Sequence, residues 1–218
     1  MPSTAAGSKN EFLQLAVTHG VLRFGEFKLK SGRISPYFFN LGLISTGAAL
    51  QALGRAYARA LGDSGIGFDM LFGPAYKGIP LAAAVAIALA EQGRDLPWAY
   101  NRKEAKDHGE GGLMVGAPPK GRVVIVDDVL TAGTALRESV AQLRASGANP
   151  VAALIALDRQ ETGPNGLSTV AELEREQELR VISLVNLDDV LGFLAASRGD
   201  LDALDRMREY RARYGVPA

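Results

Sequence analysis

Short apolar runs alternate with amphipathic stretches along the central part of the chain. The runs are too short for helices and are typical of strands buried in a sheet; they cover residues 68–72, 96–100, 123–126, 151–157 and 180–185. Between them, apolar residues recur at helical spacing, which predicts helices at about 46–61, 79–92, 136–146 and 168–178. This alternation predicts an α/β fold, with a mostly parallel sheet flanked by helices on both faces.

The ends of the chain show different patterns. Asn10 suits the N-cap of a helix that ends near Gly20, which leaves residues 1–9 as a loose tail. Residues 24–42 predict two short strands around a turn, with Pro36 favouring an edge position. Two further helices are predicted at about 187–196 and 200–214. We expect one domain over residues 1–218, in which residues 10–45 form a small N-terminal hood containing the short strands.

Composition excludes several classes of protein. Lys plus Arg equals Asp plus Glu at 24 each, so there is no overall charge to attract nucleic acid or an anionic membrane. The absence of cysteine removes thiolate catalysis and cysteine-ligated metal. We find no apolar run long enough to span a membrane and no secretory pattern at the N-terminus. These features predict a cytoplasmic protein without a nucleic-acid or membrane partner.

Polar clusters follow four of the predicted strands. They are Tyr76–Lys77, Arg102–Lys103, Asp127–Asp128 and Asp158–Arg159. Ligands of parallel α/β sheets bind at the carboxyl ends of the strands. The four clusters therefore predict one shared site.

The stretch from Arg122 to Ala135, RVVIVDDVLTAGTA, combines a strand, an acidic pair, a turn of small residues and the start of a helix. Consecutive backbone N–H groups and the positive end of a helix suit a phosphate. The two carboxylates, by contrast, suit hydroxyls or a hydrated cation. Together they predict a site for ribose 5-phosphate, while the alternative interpretation is a structural turn with a capping Asp. No P-loop pattern is present in the chain.

Residues 102–112, RKEAKDHGEGG, predict an exposed loop in which four basic side chains, Arg102, Lys103, Lys106 and His108, are interleaved with the acidic Glu104, Asp107 and Glu110. One interpretation is a solvated surface loop whose charges cancel. In the other, the glycines act as hinges and the cations close over a pyrophosphate.

The Arg122–Ala135 stretch closely resembles the phosphoribosyl-diphosphate (PRPP) signature of the type I phosphoribosyltransferases. Four further segments resemble the orotate phosphoribosyltransferases in the expected order: residues 28–40, 72–81, 101–112 and 157–161. The resemblance implies the type I phosphoribosyltransferase fold. It also implies transfer of the 5-phosphoribosyl group from PRPP to orotate in pyrimidine biosynthesis, giving orotidine 5′-monophosphate and pyrophosphate.

The resemblance also implies roles for individual residues. The catalytic set would be Lys106, Arg102, Lys103, His108, Asp127 and Asp128. PRPP would contact Tyr76, Lys77, Asp127, Asp128, Val129, Leu130, Thr131, Ala132, Gly133, Thr134 and Ala135. Orotate would contact Lys30, Phe38, Phe39, Thr131 and Arg159. A flat, carboxylated pyrimidine suits aromatic side chains and an Arg fork, although ordinary core packing is another interpretation of the two Phe residues.

The family resemblance implies a homodimer in which the loop at residues 102–112 reaches the neighbouring active site. Mg²⁺ would be held mainly by substrate oxygens and water, without a dedicated protein cage, and only two His argue against a zinc site. Two alternatives remain at this point. One is a phosphoribosyltransferase for another base, and the other is a regulator that senses PRPP without catalysis.

Overall fold

The computed structural model describes residues 5–29, 32–106, 112–163, 165–197 and 201–216. The α-helices within these ranges are α1 (Ala5–Thr18), α2 (Gly47–Asp63), α3 (Gly78–Glu91), α4 (Thr134–Ala145), α5 (Thr169–Gln177), α6 (Leu187–Ala196) and α7 (Leu201–Tyr214). The strands are β1 (Leu22–Lys28), β2 (Ile34–Phe39), β3 (Met70–Gly73), β4 (Trp98–Lys106), β5 (Gly112–Gly116), β6 (Arg122–Val126), β7 (Asn149–Asp158) and β8 (Arg180–Asn186). A short 3₁₀ helix covers Leu41–Leu43.

Six strands form the main sheet, in the order β5-β4-β3-β6-β7-β8. All neighbouring pairs are parallel except β4 and β5. The chain moves outward from β3 to β4 and then returns to place β6 on the other side of β3. The strand order therefore reverses between β3 and β6, and a crevice opens beyond the carboxyl ends of these two strands.

The sheet is buried on both faces because its strands carry apolar side chains in both directions. In β6, Val124 and Val126 pack in the larger core cluster, with residues of α2, α3 and α6. Val123 and Ile125 pack on the opposite face, with residues of α4 and α5. The continuous apolar run of β6 is the pattern that a central parallel strand requires. The predicted fold class is confirmed.

The N-terminal hood is a separate two-stranded antiparallel sheet formed by β1 and β2. It rests on the C-terminal helix, where the Tyr37 and Tyr210 rings meet edge to face with centroids 6.1 Å apart. Tyr37 is buried, and Pro36 precedes it in β2. The hood is therefore packed against the end of the chain as well as the body of the sheet.

Two predictions of local structure are wrong. The loose tail predicted for residues 1–9 ends by Ala5, where α1 begins. Ala5, Ala6 and Lys9 are compatible with a helix, and the Lys9 ammonium pairs with Asp189 at 2.8 Å.

The loop predicted for residues 102–112 is also wrong in part, because β4 extends to Lys106 and pairs antiparallel with β5, which begins at Gly112. A backbone ladder does not require apolar side chains, so the polar sequence concealed this edge hairpin. The tip, residues 107–111, lies outside the described residues.

Among the described helices, none combines the length and the apolar character needed to cross a membrane.

Candidate active site

Lys77 and Asp128 meet in the crevice between β3 and β6. The Lys77 Nζ atom lies 2.5 Å from Asp128 Oδ2, and the two side chains are 55% and 10% exposed. Gly78, at the start of α3, explains the close approach. A Cβ atom on Gly78 would lie 2.7 Å from the Val126 carbonyl oxygen, so only glycine allows the turn to pack this tightly against β6. The predicted Tyr76–Lys77 and Asp127–Asp128 clusters thus share one site.

The acidic pair is held by backbone groups. The Asp128 N–H donates to Asp127 Oδ1 at 2.9 Å, and the Val129 N–H donates to Asp128 Oδ1 at 2.8 Å. Behind them, the Tyr57 hydroxyl donates to the Asp127 carbonyl at 2.9 Å. Burial raises the pKa of Tyr57, and the charges of the two Asp residues raise it further, so this hydroxyl keeps its proton.

Asp127 has a shifted pKa for a clear physical reason. Burial raises the pKa of its carboxyl group to about 6, and the charge of Asp128 adds to this rise. The hydrogen bond from the Asp128 N–H and the charge of Lys77 oppose it. The two neighbouring carboxyl groups consequently differ: Asp128 is directly paired with a cation and Asp127 is not.

The turn after the acidic pair leads into the N-terminus of α4. Gly133, immediately before the helix, has φ of 71°. A Cβ atom there would lie 2.7 Å from a Leu173 methyl carbon. Within the described part of the chain, no side chain caps the helix, so its first N–H groups face the crevice side of the sheet without a capping partner. Thr131 and Thr134 are exposed beside them.

Two hydrogen bonds fix this turn from outside. The Thr169 hydroxyl donates to the Thr131 carbonyl at 3.0 Å, and Arg137 Nη1 donates to the Ala132 carbonyl at 2.7 Å. Arg137 is itself bound to Glu176 of α5. Both bonds engage carbonyl groups, so neither occupies an N–H group of the turn. Val129 and Leu130 contribute differently: Leu130 packs in the core, and the Val129 backbone bridges to Leu157.

Four of the five predicted orotate residues line one cavity of about 450 Å³: Phe38, Phe39, Thr131 and Arg159. The hood supplies the two aromatic side chains, the turn after β6 supplies Thr131, and the end of β7 supplies Arg159. Phe39 also packs against the main core cluster, so it contributes to core packing as well as lining the cavity. The fifth residue, Lys30, lies outside the described residues.

Arg159 is fixed at the wall of this cavity. Its guanidinium carbon lies 5.1 Å from the centroid of the Tyr37 ring, and its Nε donates to Glu161 at 2.9 Å. Burial alone would lower the pKa of Arg159, but Tyr37 and Glu161 outweigh it, so the pKa is raised and the cation is retained.

The base of the β4–β5 hairpin lies beside the turn that carries Lys77. The Asn101 side chain accepts from the Ala75 N–H at 2.8 Å and donates to Gln142 of α4 at 3.1 Å. Next to it, the Lys103 ammonium lies 4.8 Å from the centroid of the exposed Tyr76 ring. The Arg102 Nη1 atom is buried with no hydrogen-bond partner among the described residues. The side chain of Lys106 and the whole of His108 lie outside the described residues.

Sequence reasoning missed several residues that support the site. Tyr57, Asn101 and Thr169 bind a predicted site residue or its turn from distant parts of the chain, whereas Arg137 and Glu161 do so from five and two residues away. Two of them lie in segments that resemble the family: Asn101 in residues 101–112 and Glu161 in residues 157–161. The others sit in ordinary helix or strand contexts, so nothing local marks them.

Comparison with known proteins identifies the family. Residues 43–182 match the model of the phosphoribosyl transferase domain. The chain is 62% identical over 209 residues to an orotate phosphoribosyltransferase of Thioalkalivibrio sulfidiphilus, covering 95% of this chain and 98% of the relative. It is 58% identical to the Pseudomonas aeruginosa orotate phosphoribosyltransferase, with the same coverage. The chain belongs to the orotate phosphoribosyltransferase family.

A solved structure of an orotate phosphoribosyltransferase from Francisella tularensis supports the same assignment. It superposes with a TM-score of 0.85 at 40% identity, covering 94% of this chain and 98% of that one. The family resemblance found in the sequence is confirmed, and the protein is a transferase of the orotate phosphoribosyltransferase family. The likeness covers the hood, the crevice and the C-terminal helices together.

Proposed function

We propose that this chain transfers the 5-phosphoribosyl group of PRPP to orotate, giving orotidine 5′-monophosphate and pyrophosphate for pyrimidine biosynthesis in the cytoplasm. A bond forms between the pyrimidine N1 and the ribose C1, the bond from C1 to the pyrophosphate oxygen breaks, and the proton on N1 is lost to the departing pyrophosphate or to water. The observation that carries this proposal is the juxtaposition of two half-sites. Thr131 lines the acceptor cavity and also begins the turn at the N-terminus of α4.

The donor half would lie along the turn at residues 129–135 and the acidic pair. The 5-phosphate would receive hydrogen bonds from the uncapped N–H groups at the start of α4 and from the exposed Thr hydroxyls. The ribose hydroxyls would donate to the carboxylates of Asp127 and Asp128. Lys77, which is paired with Asp128, would supply a cation to the diphosphate attached to the ribose.

The acceptor half would be the cavity between the hood and the sheet. Phe38 and Phe39 offer an aromatic surface to the flat pyrimidine ring, and Arg159 offers N–H donors to its carboxylate. Lys30, which lies between β1 and β2 in the sequence, would add a second cation. An adenine or hypoxanthine has no carboxylate for these cations, which is why orotate is the acceptor that fits this charge.

The β4–β5 hairpin would close over the leaving group. Arg102 and Lys103 stand at its base, and Lys106 and His108 follow in sequence. Their charges would neutralise the departing pyrophosphate, and closure would keep water from the cationic ribose that its departure creates. We also propose that the protein is a homodimer in which residues 102–112 of one subunit reach the active site of the other.

The acidic pair fits a magnesium ion that arrives with the substrate. Within the described residues, no group of three or more His, Asp or Glu side chains is placed to hold a metal. Asp128 is committed to Lys77 and to the Val129 N–H, which leaves Asp127 as the freer carboxylate. Mg²⁺ accepts oxygen ligands, keeps water and binds through phosphates, so when bound it would neutralise the diphosphate.

The test is the loss of orotate absorbance when the protein is mixed with PRPP and Mg²⁺, together with the release of pyrophosphate. We expect both signals to require PRPP, and we expect the double variant Asp127→Asn, Asp128→Asn to abolish them. Turnover of adenine, hypoxanthine or uracil without turnover of orotate would assign another acceptor. Absence of turnover with every base, in folded protein, would instead favour a regulator that senses PRPP.

A further inference from the structure

The carboxylate of Glu161 gathers three donors from three different parts of the chain. Oε1 accepts from Arg159 Nε and from the Tyr210 hydroxyl, both at 2.9 Å, and Oε2 accepts from Arg33 Nη1 at 3.1 Å. The Glu161 side chain is only 20% exposed. A single carboxylate at the wall of the acceptor cavity therefore joins the end of β7, the hood and the C-terminal helix.

Glu161 holds Arg159 along one edge of its guanidinium. Arg159 Nε donates to Oε1, whereas Nη2 lies 2.7 Å from the same oxygen but outside hydrogen-bonding geometry. Nη2 is buried there and has no hydrogen-bond partner among the described residues. The Nε–Nη2 edge of the guanidinium is therefore held by Glu161, and a ligand carboxylate would bind Arg159 through the part that lines the cavity.

Arg33 makes Glu161 necessary for charge balance. Both Arg33 and Arg159 line the acceptor cavity, and both point at the one carboxylate. Without this negative charge, two guanidinium groups would face each other in a partly buried place. The two guanidinium groups would then move apart, and Arg159 would lose the orientation in which it lines the cavity.

The turn that carries Arg159 and Glu161 is itself fixed. Gln160 has φ of 49°, a left-handed conformation that is uncommon for a residue other than glycine. Its side-chain amide donates to Asp188 Oδ2 and accepts from the Asp188 N–H, both at 3.0 Å. The Gln160 carbonyl accepts from the Val216 N–H at 2.8 Å. The C-terminal segment thus supports the turn through the backbone as well as through Tyr210.

We propose that Glu161 is a positioning residue for the acceptor, which orients the Arg159 guanidinium for the carboxylate of orotate. Through its hydrogen bonds with Arg33 and Tyr210, Glu161 also connects the hood and α7 to Arg159. This inference rests on the proposed function, because it takes a carboxylated pyrimidine as the acceptor.

The first test replaces the charge and keeps the shape. In Glu161→Gln we expect the KM for orotate to rise about tenfold, the scale of one well-oriented charged hydrogen bond. The kcat and the KM for PRPP should stay within about twofold of the parent, because the donor half is untouched. Glu209→Gln, an exposed site on α7, is the matched control and should change none of these constants.

A double-mutant cycle with Arg159→Ala separates positioning from general structure. If Glu161 acts through Arg159, Glu161→Gln should add almost nothing to the KM for orotate once Arg159 is gone. Equal, independent effects in both backgrounds, or an unchanged KM for orotate in the single variant, would overturn the inference. A parent protein that does not turn over orotate would instead refute the proposed function, before any variant is compared.

Tyr210→Phe provides a second route in case Glu161→Gln does not fold. It removes one of the three donors, so Oε1 loses a fixed partner while the ring contact with Tyr37 is kept. We expect a smaller but still selective rise in the KM for orotate. An equal rise in the KM for PRPP would also overturn the proposed role.

Discussion

The ammonium of Lys77 lies 2.5 Å from the carboxylate of Asp128, across the crevice where β3 and β6 diverge. The two residues are 51 positions apart in the chain, and the close packing of Gly78 on Val126 brings them together. The acid is nearly buried and the base is half exposed. The pair therefore combines a fixed carboxylate with a cation that is free to turn toward an incoming anion.

Asp128→Asn should weaken the use of PRPP. The amide keeps the shape of the side chain but loses the charge that would accept from the ribose hydroxyls and hold Lys77. We expect kcat/KM for PRPP to fall about 10- to 100-fold, the range for one or two hydrogen bonds to a charged group. The KM for orotate should change little. Steady-state kinetics with each substrate varied in turn measures both.

Asp95→Asn is the matched control for this prediction. Asp95 is exposed and precedes β4, at the opposite end of the strands from the crevice. Its substitution should leave both constants at the parent level. A similar loss in the two variants would mean that Asp128 has no special relation to PRPP.

Lys106→Ala should lower kcat severely and leave the fold intact. If the lysine neutralises the departing pyrophosphate, its loss should cost about 10²- to 10³-fold in kcat, as for removal of one group that stabilises a transition-state charge. Circular dichroism checks the fold, and steady-state kinetics checks the rate. Lys120→Ala, an exposed lysine just before β6, is the control. A kcat near the parent value in Lys106→Ala would remove this residue from the catalytic set.

The parts of the fold that the sequence predicted well are those in which local pattern and tertiary environment agree. The run from Val123 to Val126 is apolar on both faces because the strand is buried on both faces. The acidic pair and the small-residue turn sit directly after it. Here the residues in contact are neighbours in sequence, so the site could be predicted without the structure.

The parts that were missed depend on contacts between distant residues. Nothing near Tyr57 indicates that its hydroxyl reaches the Asp127 carbonyl, and nothing near Thr169 indicates its bond to Thr131. The hairpin at Arg102–Lys106 was concealed for another reason. Its stability comes from backbone pairing with β5 at an edge of the sheet, so its side chains show neither helical nor alternating apolar periodicity.

Arg159→Ala should affect the acceptor much more than the donor. The guanidinium lines the cavity with Phe38 and Phe39, whereas the uncapped N–H groups that would hold the phosphate belong to the start of α4. We expect the KM for orotate to rise by about 100-fold or more, because both the charge and the fork are lost. Arg159→Lys should recover only part of the loss, since an ammonium offers no planar fork. Equal effects on the KM values of orotate and PRPP would place Arg159 outside the orotate site.

The raised pKa of Asp127 predicts an acidic limit on activity. Burial raises the pKa of this carboxyl group to about 6, so it gains a proton as the pH falls through that value. The protonated form is a poorer acceptor for ribose hydroxyls, and kcat/KM for PRPP should fall below about pH 6. In Asp127→Asn, kcat/KM for PRPP should be lower at every pH, and its fall at acidic pH should be absent. If the variant shows the same acidic fall, the titrating group is not Asp127.

The raised pKa of Asp127 also predicts how the free energy of unfolding changes with pH. The folded protein holds the Asp127 proton more tightly than the unfolded chain, whose Asp residues titrate near about pH 3.9. The stability that this group contributes is complete below that pH and is lost as the pH rises through about 6. Denaturant unfolding of the parent and of Asp127→Asn at several pH values measures it. The difference in the free energy of unfolding between the two should change in this window.

Gly78→Ala should damage both stability and PRPP binding. A Cβ atom at this position would lie 2.7 Å from the Val126 carbonyl oxygen and 2.5 Å from the Pro74 ring, both part of rigid backbone or a ring. The turn must then move away from β6 and carry Lys77 away from Asp128. We expect a loss of about 1–3 kcal/mol in the free energy of unfolding, as for other overpacked sites. The KM for PRPP should rise as well.

Gly192→Ala separates this steric effect from the general effect of replacing a glycine. Gly192 lies inside α6, and a Cβ atom there meets nothing within 4 Å. Alanine favours a helix over glycine, so this variant should be more stable by about 0.5–1 kcal/mol with unchanged kinetics. Thermal and denaturant unfolding compare the two variants directly. If Gly78→Ala were as stable and as active as Gly192→Ala, the close packing of α3 against β6 would not be what brings Lys77 to Asp128.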